Sequence, residues 1–175
     1  MKQWMTLCLI LFFGTVLTAQ NNTKKEQIVQ LYTEVDHFLK EGETESARMS
    51  LEKLLKLDKS NRSNLYLALG GMAEQQLDTG KAIKYYKKSI SSDKKSHTAY
   101  YSMGALYFNQ GVEILETIPF DEQTQRVAAT RKGLDFLKKA LPYLEQGFRL
   151  SDDRDIYEVP LNTVYRYLNL ASKTK

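Results

Sequence analysis

Few side chains in this sequence could do chemistry, and they stand apart from one another. Neither His37 nor His97 has a second histidine at i+4, so neither belongs to the paired helical ligands of a zinc site, and each reads as an isolated surface or groove residue. Asp152, Asp153 and Asp155 form a short acidic cluster, but the glycine and distal glutamate of a calcium loop do not accompany it. Carboxylates so placed suit a helix start, where they cap free N–H groups and meet the positive end of the dipole. Gly70-Gly71 sits inside a helical pattern without the lysine of a phosphate loop, and close packing explains it better. No serine lies in a Gly-x-Ser-x-Gly setting. With no convergent acid–base pair in view, no catalytic, cofactor-binding or metal-binding residue is assigned, and the chain is not expected to be an enzyme.

The single cysteine, Cys8, lies in an apolar run from Trp4 to Leu17 that follows Lys2 and precedes Ala19. That run is shorter than the roughly 20 apolar residues of a spanning helix, so residues 1–19 read as a secretory signal cleaved after Ala19. The bulky Leu17 departs from the small residue usual three places before a cleavage site and leaves retention as an anchor open. Export, most simply to a bacterial periplasm, is the expected localisation. Removing the segment takes away the cysteine, so neither disulfides nor thiolate chemistry is expected in the remainder. It also takes away Lys2, lowering the net charge from +4 to +3. That mild excess, with lysine pairs such as Lys87-Lys88 and Lys138-Lys139 not interleaved with aromatics, argues against nucleic acid as a partner.

The elements that must position any binding side chains read as all helical. Apolar residues recur at steps of three and four, and the prolines beyond the signal are only Pro119, Pro142 and Pro160. After a linker at 20–26, Ile28, Leu31, Tyr32, Val35, Phe38 and Leu39 mark a first helix that Gly42 ends. Ala47, Leu51, Leu54, Leu55 and Leu57 mark a second, and a short loop makes the two antiparallel. The pair recurs as Leu65–Glu74 and Lys81–Ile90, separated by Asp78-Thr79-Gly80, and a third first helix runs from Ala99 to Phe108. Gly70 and Gly104 are 34 residues apart, which is the period of a repeat.

Small residues recur with the helices. Gly70, Ala82 and Ser89 stand in the second pair, and Gly104, Ala140 and Gly147 in the third, where a missing side chain lets two helix axes approach. On these residues the chain resembles the tetratricopeptide-repeat family over nearly all of residues 27–171. The resemblance implies an all-α, right-handed superhelix of three helix pairs, at about 28–61, 63–96 and 97–154, with a capping helix at 155–171 and a tail at 172–175. The first pair departs from the pattern, with Val35 and Leu54 where small residues are expected, and the proline usual after a second helix is Lys59, Lys94 or Asp152. The third pair departs more. Gly104 and Ala140 are 36 residues apart where Gly70 and Ala82 are 12 apart. The insertion keeps a helical pattern through Val112, Ile114, Leu115 and Ile118 and again from Val127 to Leu141, so a long hairpin is expected near 112–136. It should turn at Ile118-Pro119-Phe120-Asp121, with Asp121 as a helix cap, and Pro142 should kink the returning helix or break it near Leu141.

In this family the first helix of each pair lines a concave face. By position in the repeat, the resemblance assigns Tyr32, Asp36, Asn64, Leu67, Glu74, Tyr101, Phe108, Asn109 and Arg166 to partner binding. Aromatic side chains with a few polar neighbours suit a protein or peptide ligand, because they offer contact area at little rotamer cost. The polar clamp for a C-terminal carboxylate is not matched, since Tyr32, Leu67 and Tyr101 occupy its places. The expected function is therefore an exported scaffold or adaptor that binds a protein or peptide through groove and hairpin, with no cofactor. A structural subunit of a cell-envelope assembly is the alternative, and an enzyme or enzyme accessory acting on envelope glycans stands far behind.

Overall fold

The structure, a computed structural model, describes residues 22–117 and 123–170. The expected signal, the turn at 118–121 with its Asp121 cap, and the tail at 172–175 lie outside them. The described residues are helical, with no strand among them: α1 (22–40), α2 (Thr44–Leu57), α3 (Arg62–Gln75), α4 (Thr79–Ser92), α5 (His97–Glu116), α6 (Gln123–Leu150) and α7 (Asp155–Tyr167). They divide into two compact units, one up to Leu65 and one from Tyr66 onward.

In the first unit α1 begins at residue 22, so most of the expected linker is helix. Its apolar stripe buries Leu31 and Val35, and α2 buries Ala47, Ser50, Leu51 and Leu54. Gly42 ends α1 at φ +76°. There the Glu43 amide donates to the Phe38 carbonyl at 2.8 Å and the Gly42 amide to the Leu39 carbonyl at 3.3 Å, which satisfies carbonyls the helix end would leave open. The same paired closure ends α3 and α7, but Leu77 (φ 59°) and Asn169 (φ 53°) take the glycine position. The reversal between α3 and α4 is thus made by Leu77. Asp78 caps α4 by accepting from the Lys81 amide at 3.0 Å, and Thr79 and Gly80 already belong to the helix.

In the second unit two core clusters form. One gathers Ala73, Ala82, Tyr86, Met103 and Leu106; the other gathers Leu137, Ala140, Leu144, Tyr157, Leu161, Val164 and Tyr165. Between α5 and α6 glycines alternate with leucines across the contact. A Cβ on Gly104 would lie 2.7 Å from Leu144, one on Gly111 would lie 2.7 Å from Leu137, and one on Gly133 would lie 2.6 Å from Leu115. As the α5 numbers rise the α6 numbers fall, so the helices run antiparallel in a single register. Gly104 and Gly111 are seven apart, as are Gly133 and Ala140, a spacing that keeps one stripe facing the partner helix over several turns. Helix α5 has 20 residues and α6 has 28, against 14 in α4. Gly147 serves a different contact from the one the repeat pattern suggested: it receives the ring of Tyr157 on α7, 2.5 Å from where a Cβ would stand.

Three sequence expectations need correction. Helix α6 runs through Pro142 without a break near Leu141. Pro142 and Lys138, whose carbonyl loses its donor, are both on the exposed face, where water can replace the missing bond. The acidic cluster does not supply the cap of α7, since the N-cap is Arg154 and makes no side-chain cap bond. Asp153 instead accepts from the Asp155 amide at 3.3 Å just ahead of it, while Asp155 and Glu158 lie in the first turn. The last helix also ends at Tyr167, short of residue 171.

Two glycine substitutions separate packing from propensity. Gly104→Ala pushes a methyl against Leu144 and its backbone amide and should destabilise by about 1–3 kcal/mol. A Cβ on Gly71, also within a helix, meets nothing within 4 Å, so Gly71→Ala should stabilise by about 0.5–1 kcal/mol. Urea unfolding midpoints check both.

Candidate functional site

In the first unit Tyr32 is half-buried and engaged internally. Its hydroxyl donates to Asp58 Oδ2 at 2.9 Å and accepts from Asn61 Nδ2 at 2.6 Å. Burial, followed by the Asp58 carboxylate, raises the phenol's pKa, while Asp58 is held below the usual carboxylate value first by the Ser60 hydroxyl. Asp36 is exposed and paired with Lys40 at 2.6 Å, and Asn64 is exposed and donates to Asn61 Oδ1 at 2.7 Å. Tyr32 and Asn64 therefore meet through Asn61, whereas Asp36 faces solvent. A small cleft of about 370 Å³ lies between α1 and α2, lined by Gln27, Gln30, Leu31, Glu34, Lys53, Lys56 and Leu57.

In the second unit the sequence-assigned residues split between core and surface. Leu67 packs against the first core cluster. Glu74 accepts the Tyr86 hydroxyl at 2.7 Å, a contact made possible because Gly70, one turn earlier on α3, leaves room for the Tyr86 ring. Burial, with the Glu74 carboxylate behind it, raises the Tyr86 pKa. Tyr101 meets Tyr157 edge-on, with ring centroids 5.2 Å apart and planes at 85°. Phe108, seven residues along the same stripe of α5, packs against the second cluster. Both are half-buried, so they present edges rather than whole rings. Asn109 and Arg166 are exposed, and the Arg166 guanidinium lies 5.6 Å from the Tyr167 ring centre. Within the second unit Tyr101 and Phe108 thus pack on the second cluster, Leu67 on the first, and Glu74 is tied to Tyr86.

Two features escaped the sequence reading. Tyr66 and Tyr85 stack with centroids 6.4 Å apart, and Lys88 Nζ lies 5.2 Å and 5.8 Å from the two ring centres, a cation–π arrangement. Along the first half of α6 runs an open cleft of about 1000 Å³, lined by Gln123, Thr124, Val127, Ala128, Arg131, Lys132, Asp135, Phe136 and Lys139. Val127 is 61 % exposed on it, and Lys139 Nζ stands 5.1 Å from the Phe136 ring centre. Its signal in the sequence was the succession Thr124, Val127, Ala128, Arg131, Asp135, which shares one helix face and mixes apolar with charged residues.

His97 contributes chiefly through its backbone: the Tyr157 hydroxyl donates to the His97 carbonyl at 3.0 Å, tying α7 to the start of α5. Among the described residues no group of three or more His, Cys, Asp or Glu side chains could hold a metal ion, and no helix is long and apolar enough to cross a membrane. No protein-family model matches the chain, and no curated protein matches it.

Burial, with Tyr101 and Asp153 adding to it, pushes the Tyr157 phenol up to about 12, and burial with Glu145 does the same for Tyr165. A phenol whose pKa is higher folded than unfolded stabilises while protonated. Its contribution is whole below the ordinary value of 10.0 and is lost as pH rises through about 12. Unfolding midpoints measured from pH 8 to 12 should therefore fall at the alkaline end. Tyr157→Phe should shrink that fall while costing about 1 kcal/mol at neutral pH, the worth of the hydrogen bond to His97.

Proposed function

We propose that the chain is an exported helical-repeat scaffold of the tetratricopeptide kind, and that it binds a protein partner by gripping an acidic, partly apolar segment along its long hairpin. The cleft on α6 carries this reading. Among the described residues it is lined by the apolar Val127, Ala128 and Phe136, the cations Arg131, Lys132 and Lys139, and the carboxylate of Asp135. Apolar contact supplies affinity in such a groove, and the surrounding cations select an acidic segment and speed its capture. The repeat assignment is supported by Gly70 and Gly104, 34 residues apart, each of which accepts a large side chain from the next helix. The half-buried edges of Tyr101 and Phe108 offer further contact on α5.

A photo-crosslinker at Val127, introduced in living cells, should give a discrete adduct with one partner. Adding Arg131→Glu and Lys139→Glu, both in exposed positions, should lower its yield by about tenfold. No adduct at Val127, or one indifferent to both charges, would overturn the reading. Export rests on the pattern from Lys2 to Ala19, and N-terminal sequencing of the accumulated protein should begin at Gln20; a start at Met1 refutes cleavage.

A further inference from the structure

Among its exposed residues α7 carries a stripe of large apolar side chains beside polar ones. Ile156, Val159 and Tyr167 are 42 %, 73 % and 36 % exposed. With the half-buried Thr163 they step by three, four and four residues along one side of the helix. The opposite side is spent on the core, where Tyr157, Leu161, Val164 and Tyr165 are buried. Beside the exposed stripe runs a flank with Asp155 at its start and Arg166 near its end, at angles that place both on the same side of the stripe.

We propose that this face pairs with the α7 of a second copy of the chain, antiparallel about a two-fold axis near Leu161 and Asn162. The pairings lie within one residue of a common register centred on Leu161. Ile156 faces Tyr167 of the second copy, Val159 faces Thr163, and Asp155 faces Arg166. The arrangement is self-complementary, as a two-fold interface must be. In antiparallel helices matching flanks meet, so the acidic start of one flank lies against the basic end of the other, and each dipole finds its opposite. In a parallel two-fold pair opposite flanks would meet instead, and Asp155 at one end would not reach Arg166 at the other. A single helix pair is a small interface, so dissociation is expected in the micromolar range. The inference does not depend on the peptide-binding reading, because α7 lies outside the α6 cleft.

Sedimentation equilibrium of the purified protein across micromolar to millimolar concentration tests it. A monomer–dimer equilibrium is expected. Val159→Glu should weaken it by about tenfold or more, since it buries a charge at the centre of the contact. Asp155→Arg and Arg166→Asp should each weaken it, and the double swap should restore it to within about threefold of the original. Variants at Arg131 and Lys139 should leave it unchanged. Val159 is well exposed, so far-UV circular dichroism should show the same helix content in every variant. A monomer at all concentrations would overturn the proposal, as would a dimer indifferent to Val159→Glu or a double swap no better than the single changes.

Discussion

The long hairpin depends on a steric exclusion: wherever α5 or α6 presents a glycine to the other helix, the other presents a leucine. Gly104 against Leu144, Gly111 against Leu137 and Gly133 against Leu115 leave no space for a Cβ on the glycine side. Sliding either helix by one residue would carry the leucines off the vacant positions and into side chains, so the register is set by volume rather than by polar pairing. The rest of the second unit follows from that register. It brings Leu137, Ala140 and Leu144 into the core on which α7 lies, with Tyr157 seated over Gly147.

A second device repeats in the unit. A tyrosine ring lies over a helical glycine, and its hydroxyl continues to an acceptor beyond: Tyr86 passes Gly70 to reach Glu74, and Tyr157 passes Gly147 to reach the His97 carbonyl. The glycine costs helix propensity, and the buried ring with its satisfied hydroxyl offsets that cost. Several of the chain's tyrosines thus serve as ties between helices. A side chain occupied in this way has little surface left for a ligand, which explains the half-buried state of Tyr101 beside Tyr157.

The helices were legible because apolar spacing is a local signal, and the small residues at 70, 104, 140 and 147 pointed to real close contacts. Their partners were less legible. Gly111 and Gly133 went unnoticed because their meaning lies in being opposite Leu137 and Leu115, and no local pattern shows which residue of a distant helix lies opposite. Leu77 was missed because a left-handed leucine contradicts its own propensity and is imposed by the need to close α3 before Asp78. Of the kink or break expected at Pro142, the break is absent, and the exposed position of Pro142 lets water replace the missing bond. The assigned groove residues were chosen by position in a repeat, which says which helix face they share but not how much of that face the neighbouring helix consumes. The cleft on α6 was passed over because its residues lie in the insertion, outside any repeat position.

Burial thins steadily along the hairpin. Leu144, Ala140 and Leu137 are fully buried and Gly133 is enclosed, yet nearly every residue from Gln123 to Lys132 is exposed. Amide hydrogen exchange should follow the same gradient, because the free energy of local opening scales with the packed contacts that must be broken. The outer turns of α6 then form a unit that opens and closes independently of the glycine–leucine zipper beneath it. A ligand seated there would slow exchange in those turns well beyond its effect on the core, and part of its affinity would be spent on holding helix that the unbound chain leaves only partly secured.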